Sequence, residues 1–100
     1  MDKYSITLWE SAKQDLEDIY RYLALECAEP EIARSVIEKI HETIHSLDTM
    51  PHIYHQISKG KYARKGYRQV TVKNFAIIYT VSVKQQRVSI VSIRHGASIH

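Results

Sequence analysis

The sequence holds one cysteine, three glycines and two prolines in 100 residues, and each scarcity closes a possibility. A lone Cys27 excludes an intramolecular disulfide framework and a cysteine-based zinc finger. So little Gly and Pro leaves no material for a collagen-like repeat or a long flexible linker. No apolar run approaches the about 18 residues that a membrane-spanning helix needs, so no membrane association is expected. The opening Met1-Asp2-Lys3 is not expected to begin a signal peptide, which points to a cytoplasmic protein. Residues 1–100 have room for one core and are expected to form a single domain.

The most uneven absence is of negative charge. All 11 acidic residues lie at or before Asp48. That stretch holds five Lys or Arg against 11 acids, a net charge of −6. The 52 residues that follow hold nine Lys or Arg and no acid, a net charge of +9. Halves of opposite sign suit a molecule with one face turned to a polyanion, or one covered by an acidic partner.

Periodicity supplies the elements. Tyr4–Leu8 alternates apolar and polar residues and reads as a short strand. From about Glu10 to about Glu26, Ala12, Leu16, Ile19, Tyr20 and Leu23 share one face of a helix, with Ser11 and Gln14 spaced as a capping box. Pro30 suits the first position of a second helix, whose stripe is Ala33, Val36, Ile37, Ile40, Ile44 and Leu47. Met50-Pro51 stops it. Residues 52–67 show no clean period and read mostly as loop. Three strands follow, at Tyr67–Val72, Phe75–Val83 and Arg87–His95, separated by Lys73-Asn74 and Lys84-Gln85-Gln86. The order β-α-α-β-β-β predicts an α+β domain, a small mainly antiparallel sheet with a helical hairpin packed on one face.

Three constellations could carry chemistry. His41-Glu42-Thr43-Ile44-His45 matches H-E-x-x-H, a zinc motif when a third ligand and a cleft accompany it. Nothing fixes a third ligand, and both imidazoles flank the apolar stripe, so no metal site and no cofactor is expected. Lys59-Gly60-Lys61-Tyr62-Ala63-Arg64-Lys65-Gly66-Tyr67-Arg68 interleaves five cations with two tyrosines. Lys59, Lys61, Arg64, Lys65 and Tyr67 are therefore the candidates for holding phosphates and stacking unpaired bases. Arg68 with Arg94 and His95 could supply a phosphate clamp and an acid or base if the strand bearing Arg68 ran antiparallel to the last one. Adjacent strand residues face opposite sides, so Arg94 and His95 share the open face only where the strand ends or bulges. Elsewhere, Trp9 is expected to anchor the strand-to-helix corner, and Tyr20 and Tyr79 to lie in the core with wet hydroxyls.

The chain over nearly all its length resembles the RelE/ParE superfamily of bacterial type II toxins. The resemblance rests on Ala12-x-x-Asp15-Leu16-x-x-Ile19-x-x-Tyr22, on a second helix ending in Leu47 and Pro51, on Tyr67–Tyr79, and on Val88–Ile93 with Arg94, His95 and Gly96. It implies a growth-inhibiting toxin neutralised by a cognate antitoxin, an acidic segment of which folds on the toxin. RelE-like members cut messenger RNA on the ribosome, usually without a metal, whereas ParE-like members poison DNA gyrase. Arg68 matches the arginine that opens the family's central strand motif, and His95 lies in its C-terminal motif. The two long helices and Ile93-Arg94-His95-Gly96 look ParE-like. The basic stretch looks like that of a ribosome-directed nuclease, although no tyrosine follows Tyr79, where many RelE-like members carry one. The expectation drawn from this balance is ribosome-dependent mRNA cleavage carried by Arg68, Arg94 and His95. Gyrase inhibition is the alternative, and a non-toxic nucleic-acid-binding module a second one.

Overall fold

The computed structural model describes residues 3–58, 60, 62–63 and 66–95. Strand β1 (Ser5–Leu8) leads into helix α1 (Glu10–Arg21), which widens into a π-helical turn over Tyr22–Glu26 before helix α2 (Pro30–Ser46). Strands β2 (Arg68–Val72), β3 (Phe75–Ser82) and β4 (Arg87–His95) complete the chain. The sheet order is β1-β4-β3-β2. β3 runs antiparallel to both its neighbours, and β1 runs parallel to β4. The predicted α+β order is the observed one.

The helix stripes bury against one face of the sheet. Ala12, Val36, Ile40, Ile44 and Leu47 meet Val70, Val72, Phe75, Ile77, Tyr79, Val88, Ile90 and Ile93 in one core. Removing such a side chain from water contributes ~1.5–3 kcal/mol each. Two expectations change at this level. Tyr20 is 45% exposed and stands outside the core. Tyr79 is fully buried, and its hydroxyl, expected to be wet, donates instead to the Pro51 carbonyl at 3.0 Å. Burial pushes this phenol up to about 12, against the opposing charge of Arg68.

Lys73 and Asn74 both have positive φ, +51° and +74°, which gives β2 and β3 the tight turn that suits twisted hairpins. The segment read as loop also adds to the sheet. Ile57 N–H donates to the Tyr67 carbonyl at 2.7 Å and Gln69 N–H to that of His55 at 3.3 Å, so His55–Ile57 flanks the outer edge of β2. The capping box is not formed. Helix α1 already starts at Glu10, and Ser11 Oγ donates 2.7 Å to the Val91 carbonyl across the fold.

Candidate functional site

The last strand outruns the first. Leu8 pairs with Ile90, Trp9 N–H makes the final ladder bond to the Ile90 carbonyl at 2.9 Å, and β1 ends there. Side chains of α1 take over the exposed edge of β4. Ser11 holds the Val91 carbonyl, and Asp15 Oδ2 accepts from the Ile93 N–H at 2.9 Å and the Ser92 hydroxyl at 3.1 Å. A buried backbone donor left without a partner is costly, so a carboxylate at this place has a structural reason.

A β-bulge then decides which residues face where. Tyr79 pairs with Ile90 and Ile78 with Ser92, which leaves Val91 as an extra residue in β4. Beyond it the alternation is reset. Ile93 and His95 pair with the core residues Ile77 and Phe75, so they lie on the helix side, and Ser92 and Arg94 lie on the open side. Arg94 Nε donates to Ser92 Oγ at 3.1 Å, and Nη2 reaches the Tyr62 hydroxyl at 3.4 Å. The guanidinium carbon stands 5.9 Å from the Tyr62 ring centre, and Tyr62 leans on Tyr67 with ring centres 5.1 Å apart. Trp9, Tyr62, Tyr67, Arg94, Ser92 and Asp15 line a cleft of about 520 Å³ on this face.

The convergence expected of Arg68, Arg94 and His95 does not occur. Both β2 and β4 are antiparallel to β3, so they run parallel to each other, and the start of β2 lies away from the end of β4. Arg68 is level with Tyr79, whereas His95 is level with Phe75 and Val72, four residues or roughly 13 Å further along the sheet. Arg68 is also engaged, because its Nη1 donates to the Tyr54 carbonyl at 2.6 Å. Arg94 points away from both, on the other face. Of the proposed substrate-binding residues, Tyr67 lines the open-face cleft. Lys59, Lys61, Arg64 and Lys65 lie outside the described residues.

His95 belongs to a second concavity, a groove of about 800 Å³ between the helical hairpin and the β2–β3 turn. Its ring meets Phe75 edge-on at 5.3 Å. Ile19, Tyr22, Leu23, Ile32 and Val36 make the groove largely apolar, with Lys73, Asp18 and His95 among its polar groups. Tyr22 and Ile32 are 55% and 49% exposed. The Tyr22 phenol is pushed above its ordinary range, chiefly by its hydrogen bond to Cys27. His41 and His45 are exposed on α2, and among the described residues no group of three His, Cys, Asp or Glu side chains could hold a metal.

Residues 6–100 match the family model described as the ParE toxin of the type II toxin–antitoxin system, parDE. The chain belongs to the ParE toxin family. It is thus a toxin of a type II toxin–antitoxin system, within the RelE/ParE superfamily. Solved structures share the fold. One is a chain of the chromosomal ParDE system of P. aeruginosa, 22% identical, with a TM-score of 0.72 over 93% of this chain and 96% of that one. Another is a chain of the RelBE2 toxin–antitoxin complex of Mycobacterium tuberculosis, 17% identical, TM-score 0.66, covering 95% and 93%. A third is a YoeB/ParE toxin from Agrobacterium tumefaciens, 20% identical, TM-score 0.64, covering 91% and 96%. A search among curated proteins gave no match.

Several residues of the toxin's open-face cleft escaped the sequence reading. Tyr62 carried a signal, an aromatic residue set among cations. Asp15 carried a fainter one, an acid directly before the stripe residue Leu16. Ser92 carried none, since its position depends on the bulge.

Proposed function

We propose that this toxin stops growth by binding DNA gyrase through its open face, and that its antitoxin docks in the groove beside the helical hairpin. The observation that carries the gyrase reading is the separation of Arg68, Arg94 and His95. A nuclease needs base, acid and phosphate clamp within reach of one phosphate, and these three lie at two ends and on two faces of the sheet. Inhibition by contact needs no such convergence. It needs a surface with strong anchors, and Trp9, Tyr62, Tyr67 and Arg94 are the residue types that dominate protein–protein hot spots. The family match supports the same choice, since ParE-like toxins are gyrase inhibitors.

Ribosome-dependent mRNA cleavage is the second reading. Arg94 beside the Tyr62–Tyr67 pair favours it, because a cation next to stacked rings also suits a phosphate and an unpaired base. The antitoxin reading draws on the groove's exposed apolar wall and on Lys73 at its edge, which suit an apolar segment bearing acids.

Expression of His95→Gln without antitoxin separates the two readings. The substitution keeps size and hydrogen bonding while removing titration. The gyrase reading expects growth arrest equal to the wild type and intact messenger RNA. Transcript cleavage by the wild type that disappears in His95→Gln would transfer the function to RNA.

A further inference from the structure

We propose that Asp15 is a positioning residue for Arg94, acting through the hydroxyl of Ser92 to hold the guanidinium on the open-face cleft. The proposal rests on the reading of that cleft as the working surface.

The geometry forms one chain of contacts. The Ser92 hydroxyl has a single proton and two acceptor positions. Asp15 Oδ2 takes the proton at 3.1 Å, which turns the lone pairs of Ser92 Oγ toward the Arg94 Nε–H, 3.1 Å away. Ser92 is only 6% exposed, so water does not readily replace either partner. Asp15 is itself fixed by the Ile93 N–H at 2.9 Å, a backbone group that cannot turn away. No ion pair joins Asp15 and Arg94 directly among the described residues, so the coupling runs through the hydroxyl.

The consequence is pre-organisation of an exposed side chain. An arginine has many rotamers, and ordering it on binding weakens a contact. With Nε tied down, the two Nη nitrogens keep one direction, past the Tyr62 hydroxyl at 3.4 Å and beside its ring. The bulge at Val91 and the early end of β1 make the arrangement possible. One turns Ser92 and Arg94 to the same side as the cleft, and the other leaves the Ile93 N–H for Asp15.

A purely structural Asp15 would cap the edge of β4 and leave Arg94 unaffected, so the test reads Arg94 itself. In ¹⁵N-labelled toxin bound to its antitoxin, the Arg94 Nε–H signal should be resolved and slow to exchange. Asp15→Ala and Ser92→Ala should each speed its exchange by at least tenfold, while Asp15→Asn, whose amide oxygen still accepts both bonds, should keep it slow. Ser92→Ala leaves the Asp15–Ile93 bond in place and serves where Asp15→Ala fails to fold. In growth arrest, Ser92→Ala and Arg94→Ala should weaken toxicity by similar factors, and the double variant should be no weaker than Arg94→Ala. Unchanged exchange in Ser92→Ala, or additive losses in the double variant, would overturn the proposal. Full toxicity of Arg94→Ala, with exchange responding as expected, would instead overturn the open-face reading and leave the positioning role intact.

Discussion

Arg68 and His95 share the helix-facing side of the sheet but stand at its opposite ends, one level with Tyr79 and the other with Phe75. Each has a local engagement. Arg68 ties the Tyr54 carbonyl to the start of β2, and His95 closes the end of the apolar groove against Phe75. The strand parallelism that separates them follows from β3 pairing with both β2 and β4.

Arg68 should therefore matter to stability. A hydrogen bond from a charged donor contributes about 1.5–3 kcal/mol, so Arg68→Ala should lower the unfolding free energy by about 2 kcal/mol in urea. Toxicity should fall only as far as the folded fraction does. An Arg68→Ala protein of unchanged stability that had lost its toxicity would return Arg68 to the catalytic set as a phosphate clamp.

Tyr79 sets a limit at high pH. Its folded-state value, about 12, lies above the ordinary 10 because burial disfavours the phenolate. The neutral form is thus the one favoured by folding. Its contribution is fully present below pH 10 and is lost as pH rises toward 12. Tyr79→Phe should remove this part of the decline between pH 10 and 12, and should also cost about 1 kcal/mol at pH 7 by leaving the Pro51 carbonyl unpaired. Identical alkaline profiles for the two proteins, measured by circular dichroism, would show that Tyr79 titrates as an exposed phenol.

The strands and helices were legible because apolar residues recur with periods of about two and 3.6 along them. Arg94 and His95 show what was not. Val88–Ile93 reads as a strand rich in Val and Ile, and the bulge at Val91 that sets which face each of the two residues takes depends on pairing with β3. The parallel relation of β2 and β4 likewise follows from strand order, which no local pattern encodes. The partner of Arg68 is a backbone carbonyl 14 residues away, invisible to any reading of side-chain types. Tyr67 was identified as a binding candidate and lies in the cleft, since an aromatic residue among cations at a strand start is a local signal.

The groove leads to a prediction about the antitoxin. Ile32 is half exposed on its wall, so Ile32→Glu should leave the fold intact and weaken antitoxin binding by at least tenfold. Added salt should weaken the wild-type complex without abolishing it, because apolar burial and charge both contribute. Calorimetry showing wild-type affinity for Ile32→Glu would move the antitoxin to another surface.

The central claim is that the toxin acts on gyrase by contact. Purified toxin titrated into a gyrase reaction that supercoils relaxed plasmid tests it most directly. The account predicts that supercoiling stops as toxin approaches stoichiometry with gyrase, that antitoxin restores it, and that Arg94→Ala raises the amount required by at least tenfold. Complete supercoiling at a large excess of a toxin preparation that still arrests growing cells would contradict it.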